Sequence, residues 1–142
     1  MKNILNISFA IIVFVGIVAS STHAQSAGGQ KVVATIPFAF TAGKVTLPAG
    51  RYTVAVMNPA SDRKVLQIRR TDGRASALVM TTDVTGNISD DAKLVFHRYG
   101  DRYYFARAQM AGDSTSLAAV KTRSEQKESV ATTKKIVVLR AG

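Results

Sequence analysis

Short runs of alternating apolar and polar residues fill the chain from residue 31 to residue 140. The runs are rich in Val, Ile, Thr, Tyr and Phe, and turn-forming Gly, Pro, Asn and Asp separate them at close spacing. A period of two is typical of strands that bury one face, and close turns are typical of antiparallel sheets. The pattern predicts an all-β fold: an antiparallel Greek-key-like sandwich, or a partly closed barrel, of about seven strands.

The clearest hairpin is predicted around Asp72 and Gly73, which separate two strand-like runs. An Asp-Gly pair favours the two-residue turn that matches strand twist. The turn determines which residues of the two strands pair, and the pairing must place the apolar residues on one face. The predicted pairing has Leu66 opposite Val79 and Ile68 opposite Ala77.

A second hairpin is predicted around Gly100 and Asp101, because glycine at the first turn position suits a type II′ turn. Both strands are apolar on both faces near their middle. We therefore expect a central strand pair that is covered on both sides. The expected pairs are Tyr99 with Arg102, Arg98 with Tyr103, His97 with Tyr104, Phe96 with Phe105, Val95 with Ala106 and Leu94 with Arg107.

The C-terminal segment predicts a short polar helix followed by a last strand. Thr122 and Glu125 have the spacing of a capping box, so a helix is expected from Arg123 to about Val130. The helix has almost no apolar stripe, and we expect its charges to face solvent. Residues 135–140 contain four consecutive apolar residues, which indicates a strand buried on both faces.

The N-terminus has the three parts of a secretory signal peptide. Lys2 precedes an apolar stretch over residues 4–19, and small residues then surround Thr22 and Ala24. We expect cleavage after Ala24, which gives a signal peptide (1–24), a flexible spacer (25–30) and a single all-β domain (31–142). The alternative is an uncleaved membrane anchor, but the apolar run is shorter than the roughly 20 residues that span a bilayer.

The composition agrees with an exported domain that has an ordinary hydrophobic core. Cleavage would leave 118 of 142 residues, enough for one domain without disulfides, and the chain contains no cysteine. The formal charge would fall from +10 to +9 with the loss of Lys2. A periplasmic or secreted location and no membrane span after cleavage are therefore expected.

The positive charge predicts an anionic envelope component as partner, either a polysaccharide or lipid head groups. A charged coat that only maintains solubility is the simpler interpretation, and the charge alone favours it over a specific partner. Nucleic acid is not expected as a partner, because the chain has no nucleic-acid recognition motif. The sequence leaves the oligomeric state open.

Three segments resemble a known family: residues 36–40 (IPFAF), 47–52 (LPAGRY) and 94–101 (LVFHRYGD). In this order and spacing they are similar to uncharacterised small secreted all-β proteins from environmental Gram-negative bacteria. The resemblance implies export and a β domain, and it brings no activity, ligand, cofactor or catalytic residue.

Catalytic chemistry is not indicated. His97 is the histidine of the predicted mature domain, and a strand histidine beside an aromatic residue is typically structural. We expect no Asp or Glu oxygen within hydrogen-bond reach of its ring. The oxygen-rich loop at residues 83–91 lacks the spacing of a calcium-binding hand, so no metal and no cofactor are predicted.

Arginine and aromatic residues alternate on the second hairpin and form the candidate ligand-binding set. Guanidinium and aromatic groups together bind sugars and anions, although arginines that stack on their own aromatics give the same pattern. The sequence thus predicts a non-enzymatic binding or structural module of the cell envelope. The alternatives are a lipocalin-like carrier of a small ligand between its sheets and a hydrolase that uses His97. The candidate residues are Arg98, Tyr103, Phe105 and Arg107.

Overall fold

A computed structural model describes residues 30–141, and the predicted signal peptide and most of the spacer lie outside this part of the chain. It contains ten strands and one helix. In chain order they are β1 (Lys31–Ile36), β2 (Phe40–Ala42), β3 (Val45–Leu47), β4 (Gly50–Val56), β5 (Val65–Arg70), β6 (Ser76–Thr85), β7 (Ala92–Tyr99), β8 (Arg102–Gln109), β9 (Thr115–Ala119), α1 (Arg123–Ala131) and β10 (Lys134–Ala141).

The strands form one large mixed sheet, which confirms the all-β class. The short helix predicted near the C-terminus is also present. The pairs are antiparallel except for a single contact between β2 and β8. Three more strands are present than the seven predicted. One reason is that Pro37, which has no N–H to donate, follows the end of β1, so the run over residues 31–40 yields two strands.

Strand β6 is the corner of the fold. Residues 76–80 pair with β5, and residues 81–85 pair with β9. One part of the sheet therefore has the order β1-β4-β5-β6, and the other part continues through β9 and β8 to β7 and β10. The end strands β1 and β10 lie side by side without pairing, and the sheet does not close into a barrel.

A single hydrophobic core fills the space between the two parts of the sheet. Phe40 on β2 packs edge-on against Tyr52 on β4, with ring centroids 5.3 Å apart. Phe96 on β7 contacts Phe40 and Phe105 in the same way. Side chains from nine strands share this core, so strands far apart in sequence are stabilised by common burial.

The predicted register of the first hairpin is confirmed. Leu66 pairs with Val79 and Ile68 with Ala77, and all four side chains are buried. The turn glycine, Gly73, has a positive φ of 75°. The predicted two-residue turn is not formed, because the strands end at Arg70 and resume at Ser76, and the Gly73 N–H donates to the Arg70 carbonyl oxygen. The longer loop is centred on the same two residues, so the register set by the alternation of apolar residues is kept.

The predicted register of the second hairpin is confirmed only as far as the pair of Phe96 with Phe105. A bulge then places Val95 opposite Arg107 and Leu94 opposite Ala108, so the expected pairs of Val95 with Ala106 and Leu94 with Arg107 are wrong. The bulge inserts one extra residue into β8, and buried Ala108 replaces a charged residue opposite buried Leu94.

The last strand is present, but the prediction that both of its faces are buried is wrong. β10 pairs only with β7 and forms an edge. Val137 and Leu139 pack against the core, whereas Ile136 and Val138 on the other face are exposed. No helix within residues 30–141 has the length and apolar character needed to span a membrane.

Candidate functional site

His97 and Glu125 form a hydrogen-bonded pair between the sheet and the helix. The Nδ1 atom of His97 lies 2.8 Å from Oε1 of Glu125, and the Tyr99 hydroxyl donates to the same oxygen at 3.2 Å. Glu125 and Tyr99 are buried, and His97 is half-buried. The expectation that no carboxylate would reach His97 is therefore wrong.

The helix begins as predicted, but its third residue has a different role. Thr122 caps α1 by accepting a hydrogen bond from the backbone N–H of Glu125. In a capping box the Glu side chain would return to the cap residue. Here the Glu125 carboxylate instead reaches β7, which is 26 to 28 residues earlier in the chain. The prediction that the helix charges face solvent is wrong at this position.

The cluster keeps Tyr99 in its neutral form. Burial raises the pKa of the Tyr99 hydroxyl, and the charge and hydrogen bond of Glu125 and the nearby Tyr104 raise it further. The hydrolase hypothesis required a carboxylate beside His97 and a position in a cleft. The carboxylate is present, but His97 lines neither of the two cavities described below. We interpret the cluster as an anchor that holds α1 on β7.

The structure divides the predicted ligand-binding residues between two faces of the sheet. Arg98 lies with its guanidinium carbon 5.4 Å from the centre of the Tyr103 ring, and Phe38 stacks on that ring at 3.9 Å. Phe105 is buried in the core. Arg107 is exposed and lies on the opposite face, because the bulge reverses its direction. Arg98 and Tyr103 are therefore the two members that lie together.

A second feature, which the sequence did not suggest, is an apolar groove on the outer face of β6. Four of the nine large exposed apolar side chains in the described residues line it: Val45, Leu78, Met80 and Val120. The groove runs between the β2–β3 hairpin and the segment that leads into α1, and it encloses about 970 Å³. We call it the β6 groove.

Cations surround the apolar floor of the β6 groove. Lys44, Lys121 and Arg123 line it and are exposed, and none of its lining residues is acidic. The hairpin wall lies close to β6: a Cβ atom added to Gly43, whose φ is +59°, would be 2.9 Å from the carbonyl oxygen of Leu78. The groove is thus a fixed apolar surface with a positive rim.

One sequence signal could have revealed the β6 groove. Residues 77–80 of β6 are four consecutive apolar residues. Ala77 and Val79 face the core, so Leu78 and Met80 must point outwards. The cations, however, come from two other segments, and only the tertiary structure brings them to this strand.

A smaller cleft opens between the two parts of the sheet, on the inner side of β6. It encloses about 450 Å³, and Val56, Ala108, Met110 and Leu117 supply its apolar wall. Asp83, the first residue of the predicted oxygen-rich loop, instead lies within β6 at this cleft and pairs with Lys64 at 2.7 Å. Within residues 30–141, no three His, Asp or Glu side chains converge as metal ligands.

Fold and site together define a small all-β domain with a cation-rimmed apolar groove on one strand and a cleft behind it. Comparisons with protein-family models, curated proteins and solved structures give no match for this chain. The geometry and charge of these two cavities are therefore the features that point to a function.

Proposed function

We propose that this protein is an exported, non-enzymatic binding module that holds anionic lipid of the cell envelope in the β6 groove. One observation carries the proposal: exposed apolar side chains and cations are concentrated in the same groove, and none of the described residues that line it is acidic. Exposed apolar patches with a polar rim mark interaction sites, and cations beside them select negative partners.

The apolar floor distinguishes lipid from polysaccharide. An acidic polysaccharide would use the cations but would leave Leu78 and Met80, which are 62% and 52% exposed, against water. A lipid satisfies both parts of the site, because its acyl chain covers the floor and its phosphate or carboxylate meets the rim. Each Lys or Arg close to an anionic lipid surface contributes about 1 kcal/mol.

Vesicle binding tests the proposal. The purified protein should bind phosphatidylglycerol vesicles in a flotation or sedimentation assay and should not bind phosphatidylcholine vesicles. Binding should weaken as salt rises, because exposed charges are screened within about 10 Å at 0.1 M ionic strength. Binding to a soluble anionic polysaccharide with equal affinity would contradict the lipid assignment.

Charge-matched variants locate the site. Lys121→Glu should reduce binding to phosphatidylglycerol vesicles by about tenfold or more, because it replaces an attraction with a repulsion at the rim. Lys127→Glu, at an exposed position of the following helix α1, changes the net charge equally but lies outside the groove. Equal losses from the two variants would show that total charge, rather than the groove, controls binding.

A second matched pair tests the apolar floor. Leu78→Ser should weaken vesicle binding, because Leu78 forms part of the floor. Ile136→Ser removes a side chain of nearly equal exposure, 64% against 62%, from the edge strand β10. Loss of binding in the Ile136 variant alone would indicate that the lipid binds at β10, and would contradict the proposal.

A further inference from the structure

The cleft behind β6 has the size and lining of a small-molecule site. Its volume of about 450 Å³ is within the usual 300–1,000 Å³ range of ligand pockets. Ala108 and Leu117 come from one part of the sheet and Val56 from the other, so the cleft enters the space between them. Three of its lining residues, Ala108, Met110 and Leu117, are buried apolar residues.

The charge of the cleft is opposite to that of the whole protein. Its charged lining residues are Lys64, Asp83 and Asp113, which give a formal charge of −1 in a chain of +10. Lys64 is neutralised by its contact with Asp83. With Lys64 paired in this way, no ion pair is formed by Asp113 among the described residues that line the cleft.

The polar groups of the cleft are held in place by the backbone. The carbonyl oxygen of Lys64 accepts hydrogen bonds from both the N–H and the hydroxyl of Thr81. One carboxylate oxygen of Asp113 accepts from the backbone N–H of Thr115 at 2.8 Å. The Asp113 carboxylate is therefore positioned by the backbone, and the Asp83 carboxylate is held by its 2.7 Å contact with the Lys64 ammonium.

We infer that the cleft binds a small hydrophobic amine, with its apolar body against Met110 and Leu117 and its ammonium group toward Asp113 and Asp83. An ammonium would supply a counter-ion for Asp113, because the lining cation Lys64 is already paired with Asp83. A carboxylate of the same shape would meet a net negative wall, and a neutral molecule would gain only the apolar contacts. The site is separate from the β6 groove, because the two cavities lie on opposite faces of the same strand.

Three probes of equal shape test this inference: adamantylamine, adamantanol and adamantane carboxylate. Binding is followed by NMR of methionine methyl groups, since Met110 lines the cleft and Met80 lines the β6 groove. We expect the amine to shift the Met110 signal, to leave Met80 unchanged, and to bind at least about tenfold more tightly than the carboxylate. Equal binding of amine and carboxylate, or a shift at Met80 alone, would overturn the inference.

Two substitutions with opposite expected effects separate charge recognition from damage to the fold. Asp113→Asn retains the oxygen that accepts from Thr115 but removes the charge, and it should weaken amine binding severalfold. Lys64→Gln removes the cation of the cleft and should strengthen amine binding. Changes in the same direction for both variants would contradict the proposal. These results do not depend on vesicle binding, so either proposal can fail alone.

Discussion

The Nδ1 atom of His97 and the Oε1 atom of Glu125 are 2.8 Å apart, although 28 residues separate them in the chain. Their contact joins β7 to α1. The helix is polar, and Glu125 is the buried residue by which it meets the sheet. Lys121 and Arg123, which line the β6 groove, lie just before Glu125 along the chain. The anchor therefore also holds one wall of the groove.

Glu125→Ala should lower the free energy of unfolding by about 1–3 kcal/mol, because it leaves the buried Tyr99 hydroxyl without its acceptor and the half-buried His97 ring without its carboxylate partner. Glu128→Ala on the same helix is the control. Its partner Arg102 is 70% exposed, so the loss should be below about 1 kcal/mol. Urea unfolding of the two variants measures the difference. Equal effects would show that the His97–Glu125 contact does not anchor the helix.

Stability should fall at alkaline pH through Tyr99. Burial and the neighbouring Glu125 raise the pKa of Tyr99 in the folded protein, so the folded state holds this proton more strongly than the unfolded state. The resulting stabilisation is complete below about pH 10, the pKa of an unfolded tyrosine, and is lost as pH rises through the folded pKa. Unfolding curves across this range, compared with Tyr99→Phe, measure the contribution. The Tyr99→Phe protein should lose less stability.

Gly43→Ala should destabilise the protein more than Gly100→Ala. Both glycines have φ near +60°, so alanine at either position would lower the free energy of unfolding by about 1 kcal/mol through the left-handed conformation alone. At Gly43 the new Cβ would also be 2.9 Å from a backbone oxygen of β6, whereas nothing lies within 4 Å at Gly100. Thermal or urea unfolding of the two variants isolates this contact. A smaller loss at Gly43 would mean that the hairpin is not fixed against β6.

Leu66→Ala and Leu78→Ala compare the two faces of one hairpin. Leu66 is fully buried, and its truncation should cost about 2–5 kcal/mol. Leu78 is 62% exposed in the β6 groove, and its truncation should change stability by no more than about 0.5 kcal/mol. The Leu78 variant should instead lose vesicle binding. Similar losses of stability in the two variants would indicate that Leu78 is buried in the core, and would contradict the description of the β6 groove.

Features that depend on neighbouring residues could be predicted from the sequence. The register at Leu66 and Val79 follows from the alternation of apolar residues on both sides of a loop centred on Asp72 and Gly73, and the helix start follows from Thr122. The second hairpin was predictable only up to Phe96. Beyond it, a bulge brings Ala108 opposite Leu94, because burying an arginine there would cost more than disrupting the ladder.

The candidate sites could not be predicted in the same way. The β6 groove collects Lys44, Leu78 and Lys121 from three separate segments, and the cleft combines Val56 with Leu117 across the two parts of the sheet. The aromatic and arginine set was predicted from one hairpin alone. The structure places Arg107 on the other face from Arg98, because a one-residue bulge reverses the alternation.

The sequence by itself determined the β-class, the first hairpin and the start of the helix, because turn chemistry and alternation act over a few residues. Only the tertiary structure decided which outward residues of β6 acquire cationic neighbours and which carboxylate reaches His97. These contacts depend on how the sheet turns at β6 and where α1 returns to β7. Bringing together two residues that are 28 positions apart lowers the conformational entropy of the chain, and the burial of apolar side chains from many strands offsets this cost. Such a contact therefore leaves no pattern among neighbouring residues in the sequence.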